Sequence, residues 1–357
     1  MITRSAGRDA LLVWFASRAG LLVTTLLGVS LHEYLGRWQR WDAELFVTIA
    51  RFGYDGDPAR PDDGLPAFFP GMPIALRLAY LVVRDWEAAG LIVSLVAGAV
   101  AMVALARLAE HEGAHGWMAV LALVLFPMAV FLAAGYSESL FLAFAIPAWL
   151  AARQGRWPLA AALAAGASCV RITGLFLAAA LIAEFALECG AGREPVRRAP
   201  WLALPFLPLV GYSFFHYTRT GDWLAWKHAQ EAGWGRELVW PWEAWAVTWD
   251  NAMGTGDMAP AFRMEIAGAV VALIGLVWLL ALRRWSEAVY TGLQAAALMT
   301  SAYYLSLPRS LLLWFPLWVA LAGLATRRRW VIMAYALVSG PLMVLNTARF
   351  LEGAWAG

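Results

Sequence analysis

The chain has 357 residues, 62% of them hydrophobic and 15% charged, with a formal net charge of +2 and a mean hydropathy of +0.62. A soluble domain carries about 25% charged residues, so the composition excludes a soluble globular protein and points to an all-α polytopic membrane protein. The small net charge identifies no class of partner; the placement of the charges is more informative, and all the basic residues except Lys227 are Arg.

The N-terminus carries Arg4 and Arg8 before an apolar run that Arg18 interrupts. With no clean small-residue cleavage site, it reads as a retained first helix with a cytoplasmic N-terminus. Arg18 is expected to snorkel to the inner interface. Candidate spans follow at roughly 10–31, 67–84, 89–109, 117–134, 138–152, 157–188, 200–217, 264–283, 286–306, 310–325 and 330–350. The polar segments 32–66 and 218–262 lie between them. Cys169 and Cys189 sit in or beside apolar runs, with no disulfide or metal spacing.

The first polar segment opens with "RWDAELFVTIARFGY", Arg40–Tyr54. Counting from Trp41, Leu45, Phe46, Ile49 and Phe52 form a helical stripe, as in a short amphipathic helix lying on the membrane surface. Asp42 fits an N-cap, with Trp41 and Phe46 as the staple around it. A carboxylate half shielded at that surface also suits a general base. Asp55-Gly-Asp57 has a form that holds divalent ions, but Gly, Asp and Pro together more often make a turn. The run 67–84, opening "AFFPGMP", carries Pro70 and Pro73 and suits a surface-lying or re-entrant helix better than a clean span.

"YSESLF" puts Glu138 at the start of a span. There it reads either as a functional carboxylate or as an acid favoured by the helix dipole. A straight helix over 157–188 would be about 48 Å long, against a hydrocarbon core of about 30 Å. Both flanks are Arg-rich, so two half-length helices turning at "RITG", Arg171–Gly174, are expected. Arg171 then needs a phosphate or an ion-pair partner, Glu138 among the candidates. Arg309, in "LPRSLL", has the same two readings. Residues 222–250 hold seven tryptophans. Most read as an interfacial aromatic belt, a few as platforms for a sugar, and Lys227 and His228 are the compact cationic or titratable groups among them.

Arg153/Arg156, Arg193/Arg197/Arg198, Arg283/Arg284 and Arg327–Arg329 are expected on the cytoplasmic side by the positive-inside rule. That gives about eleven crossings and gathers Asp42, Glu138, Arg171, the Trp-rich segment and Arg309 on the opposite face. No P-loop, dinucleotide fingerprint, nucleophile elbow or zinc motif is present, and nothing points to nucleic acid.

"RWDAELFVTIARFGY", "AFFPGMP", "PMAVFLAAGYSESLF", "CVRITG" and "GDWLAWKHAQEAGW" resemble, in order, elements of the PIG-V-like mannosyltransferase family, the GPI mannosyltransferase 2 type and its bacterial relatives. The resemblance spans roughly Arg18–Trp234. It implies a GT-C glycosyltransferase fold with surface-lying helices in the first external loop. Its module would cover 10–217 with an external loop over 32–88, followed by the Trp-rich loop 218–262 and C-terminal transmembrane helices over 263–357. The implied reaction moves mannose from a polyprenyl-phosphate donor to a lipid or glycan acceptor among membrane lipids, on the outer face of a bacterial cytoplasmic membrane. Asp42 takes the role of the acidic residue of the first external loop. Ser137 and Glu138, Arg171, and Gln230 and Trp234 carry over as site residues. Trp41, Phe68, Phe69 and Trp226 join them on the substrate side, and Arg171 and Arg309 are expected on the donor phosphate. Thr173 stands where the animal enzymes usually have Asn. No metal or other cofactor is expected, because a lipid phosphate leaves with fewer charges than a nucleotide diphosphate. The rival readings are a lipid-glycan flippase, which should show repeat symmetry and midplane charges, and a GT-C enzyme for another polyprenyl-linked sugar.

Overall fold

A computed structural model describes residues 4–26, 30–60, 64–355 and 357. Residues 27–29, in the predicted first span, and 61–63, in the first external loop, lie outside the described residues. The described chain is α-helical, with short 3-10 stretches and two isolated bridges but no strand. In chain order the helices begin with α1 (Arg4–Leu26), α2 (Leu31–Trp38), α3 (Asp42–Phe52), α4 (Gly71–Val83), α5 (Trp86–His111) and α6 (Gly116–Val124). The middle of the chain forms α7 (Glu138–Arg153), α8 (Trp157–Val170), α9 (Gly174–Gly190), α10 (Leu207–Thr220), α11 (Ala225–Trp234) and α12 (Pro241–Met253). The last are α13 (Ala259–Ala281), α14 (Trp285–Met299), α15 (Leu307–Ser310), α16 (Phe315–Arg327) and α17 (Trp330–Leu351).

Four described helices are long and apolar enough to cross a membrane unaided: α1, α5, α13 and α17. A fifth crossing is available to residues 307–327, bent by 71° between Leu313 and Phe315. The other apolar runs are shorter helices joined by tight turns. Their outward faces carry large apolar side chains: Leu12, Leu78, Ile274 and Leu337 are each more than half exposed. Such a surface is stable against hydrocarbon, not water. This is an integral membrane protein.

Two predicted spans differ most from the expectation. Over 117–134 the helix stops at Val124, and 125–137 is an irregular buried stretch containing one 3-10 turn, Ala129–Leu132. Pro127 supplies no amide there, and side chains replace the missing helical bonds: Ser94 Oγ donates to Ala134 O at 2.5 Å and Ser139 Oγ to Leu132 O at 2.8 Å. Over 200–217, Pro200 and Pro205 hold Val196–Phe206 as a 3-10 stretch, so the α-helix starts only at Leu207. Arg18 packs back onto its own helix. Its guanidinium lies 4.3 Å from the Trp14 ring centroid, with Nη1 and Nη2 buried and unpartnered.

The break at Arg171–Thr173 is present as predicted. Arg171 is extended, and α9 restarts at Gly174, where a Cβ would lie 2.4 Å from the Ser168 Cα. Only a glycine lets the two half-helices approach this closely. Helix α4 docks here as well: a Cβ on Gly71 would lie 2.7 Å from a methyl of Val170. The first polar segment is thereby anchored beside Arg171. The Arg153 end of α7 lies about 24 Å from its Glu138 end, at 1.5 Å per residue over 16 residues. There Arg153 meets Glu184 at 2.8 Å, and Arg284 bridges Glu112 and Glu287.

Candidate active site

At the Glu138 end, elements distant in sequence enclose a cavity of about 500 Å³. Its first wall is α3. Trp41 precedes it in a left-handed conformation (φ +45°), rare for a bulky residue. Its ring packs against Phe350 and Trp355, with centroids at 5.4 and 6.1 Å. The N-cap reading of Asp42 is therefore wrong. Asp42 is the first helical residue, Trp41 occupies the cap position without a side-chain cap, and Phe46 packs on Phe68 rather than on Trp41. The buried face of α3 is Ala43, Phe46, Ile49 and Ala50, whereas Phe52 is exposed.

Freed from capping, the Asp42 carboxylate turns to the cavity. Its Oδ2 accepts from Arg309 Nη1 at 2.7 Å, and Oδ1 has no partner among the described residues. Arg309 Nε donates to Glu138 Oε1 at 2.6 Å, and Arg171 Nη1 donates to the same oxygen at 3.0 Å and to Ser137 Oγ at 2.6 Å. Two carboxylates and two guanidiniums thus form one continuous neutral chain, Asp42–Arg309–Glu138–Arg171. The Arg309 guanidinium also lies over two adjacent aromatic rings, 4.8 Å from the Phe131 centroid and 4.5 Å from that of Tyr136. Tyr136 donates to Arg40 O at 3.0 Å. Burial first, then the neighbouring Asp42 charge, pushes its hydroxyl well above the usual tyrosine range, so it stays a neutral donor.

Glu138 does not face the cavity. It is wholly buried behind the two arginines, away from where a substrate would sit. Asp42, Arg171, Arg309 and Ser137 do line the cavity, as do Trp41, Phe68, Phe69, Trp226, Gln230 and Trp234. The Phe-Phe-Pro turn owes its position to three polar side chains. Tyr54 and Tyr212 donate to Phe68 O at 2.8 and 3.0 Å, and Gln230 Nε2 donates to Ala67 O at 3.1 Å. The Phe68 ring then meets Trp234 edge-on at 5.3 Å. The tryptophans of 222–250 divide as their surroundings require: Trp226 and Trp234 face the cavity, while Trp223, Trp240, Trp242, Trp245 and Trp249 are exposed, as in an interfacial belt.

Other sequence candidates lie elsewhere. Asp55 pairs with Arg219, and Asp57 Oδ1 accepts from Ala59 N at 2.9 Å, closing a turn. His228 lies 2.7 Å from Asp222 on the surface. Asp222 is held below its usual range, first by that hydrogen bond and then by the Leu224 amide. Among the described residues no group of three His, Cys, Asp or Glu could hold a metal ion.

Sequence reasoning gave no site role to Arg236, Thr173, Gln294 and Tyr136, which also line the cavity. Arg236 follows α11 in the loop before α12. Burial lowers its guanidinium pKa; Glu265 and Tyr303 oppose this, and Arg171 and Arg309 add to it. The signal was a second cation, beside Lys227, in a segment read mainly for its tryptophans.

This geometry sits largely within residues 18–187, which match the model of the family described as Mannosyltransferase (PIG-V). Over these residues the chain is similar to the PIG-V mannosyltransferases. Relatives include the GPI alpha-1,6-mannosyltransferase 2 proteins of Rattus norvegicus, 37% identical over 154 residues, and of Homo sapiens, 34% identical over 154 residues. Each alignment takes in 40% of this chain and 30% of the relative's own length. Asp42, Ser137, Glu138 and Arg171 fall inside the matched residues; Arg236, Gln294 and Arg309 lie beyond them.

Proposed function

We propose that the chain is an inverting membrane mannosyltransferase that moves mannose from a polyprenyl-phosphate-mannose donor to a hydroxyl of a lipid-linked or glycan acceptor, with Asp42 as general base. The observation that carries this reading is the Asp42 carboxylate. It is held by Arg309 through one oxygen, with the other unpartnered, in a cavity walled by Trp41, Trp226 and Trp234. Asp42 Oδ1 takes the acceptor proton as the acceptor oxygen bonds to the anomeric carbon. The bond from that carbon to the phosphate oxygen breaks with its electrons on the phosphate, and the configuration inverts. Arg171, whose Nε and Nη2 have no partner among the described residues, stabilises the developing charge together with Arg309. A leaving group met by guanidiniums supports a reaction without a metal.

The active site faces the non-cytoplasmic side. In support, Arg153 and Arg284 gather at the end of the bundle opposite Asp42, where the positive-inside rule puts the cytoplasm.

The test is transfer of radiolabelled mannose from polyprenyl-phosphate-mannose by purified protein with native membrane lipids, with and without EDTA. Label reaches a lipid acceptor with the wild type, persists in EDTA, and falls at least a hundredfold in Asp42→Asn. Asp42→Asn transferring at wild-type rate would remove Asp42 as the base.

A further inference from the structure

The charges around the cavity do not balance evenly. Arg171 and Arg309 are matched by Glu138 and Asp42, and Lys227 pairs with Glu231. Arg236 alone among the cavity-lining cations has no carboxylate within ion-pair distance among the described residues. Its Nη2 donates to the Leu305 carbonyl at 3.1 Å, and its Nη1 is buried without any partner. Glu265, the acid that acts on it through space, already spends Oε1 and Oε2 on the Ser306 and Leu307 amides at 2.7 and 2.8 Å. A guanidinium that lines one cavity with two others and keeps a buried N–H without an acceptor among the described residues is costly unless an anion completes the set.

We infer that Arg236 is the principal anchor for the phosphate of a polyprenyl-phosphate ligand, holding a singly charged phosphodiester that the neutral Asp42–Arg309–Glu138–Arg171 chain leaves unclaimed. The charge arithmetic fits: one unmatched cation meets one phosphodiester charge. Arg236 then holds the standing charge, and Arg171 with Arg309 meets the second charge that appears on the phosphate as the sugar departs. This assignment rests on the donor class proposed above. It lies outside the matched residues 18–187.

The experiment measures binding of polyprenyl phosphate, and of the uncharged polyprenol, to the full chain in nanodiscs, for wild type, Arg236→Gln and Arg236→Lys. Arg236→Gln should weaken polyprenyl phosphate about tenfold to a hundredfold, the loss of one charge-assisted contact, and leave polyprenol unchanged. Arg236→Lys should recover part of the loss, which a purely structural defect would not allow. Equal weakening of both ligands, or wild-type phosphate binding by Arg236→Gln, overturns the assignment. Wild-type protein that binds polyprenyl phosphate through Arg236 yet transfers no mannose would defeat the transferase reading and leave this site standing.

Discussion

Glu138→Gln separates a buried structural anchor from a substrate contact. Glu138 is fully buried, and its Oε1 accepts from Arg309 at 2.6 Å and Arg171 at 3.0 Å. Glutamine keeps the shape and an acceptor oxygen but removes the charge both guanidiniums face. Breaking a buried ion pair from one side costs about 3–5 kcal/mol. The Arg171 side chain is 23% exposed and keeps access to water, while Arg309 at 10% has little. One desolvated cation is therefore left short, and the expected loss is near the lower end, about 3 kcal/mol. Unfolding of the purified chain in mixed micelles on titration with dodecyl sulfate, followed by tryptophan fluorescence, measures this directly. The paired replacement Glu138→Leu with Arg309→Met should be less damaging than Glu138→Leu alone, because it removes both charges together. A Glu138→Gln loss below about 0.5 kcal/mol, the scale of an ordinary surface substitution, would refute the claim that this carboxylate ties the two arginines in a dry site.

Two further outcomes follow from the geometry. Gly174→Ala drives a methyl to within 2.4 Å of Ser168 backbone atoms, so the same unfolding assay should show about 1–3 kcal/mol of overpacking; a neutral result would mean that α8 and α9 are not in contact there. Asp55→Asn with Asp57→Asn touches only an exposed ion pair and a turn. Mannose transfer should stay within about twofold of wild type and the stability change within about 0.5 kcal/mol, whereas a metal site on Asp-Gly-Asp would lose activity in both residues and in EDTA.

The break at Arg171 was legible because two independent constraints met there: a run too long for one crossing and an arginine in its middle. The pairing of Arg171 with Glu138 was legible as one of two alternatives for the same reason, since a charge within an apolar run needs a partner. The partner of Asp42 was not. Arg309 lies 267 residues away, and local spacing made an N-cap look sufficient, although a left-handed Trp41 removes that option. The irregular stretch 125–137 was also hidden. It is apolar on every side because it is buried on every side, so it carries no periodicity to separate helix from turn. The 3-10 stretch Val196–Phe206 was readable from its prolines, had they outweighed the hydropathy of the run. Arg236 escaped because nothing local distinguishes an unmatched cation from a solvated one.

The order in which the chain is made gives the Arg309 bridge another meaning. Asp42, Glu138 and Arg171 are made early, while the cation shared by the two carboxylates, Arg309, lies 138 residues beyond Arg171 (309 − 171). At about 5–20 residues per second, the nascent protein carries two inward-facing carboxylates and one guanidinium for roughly 7–28 s. Arrival of α15 then supplies the cation that the two carboxylates share. A chain that stalls before that point carries one more carboxylate than its guanidiniums can neutralise.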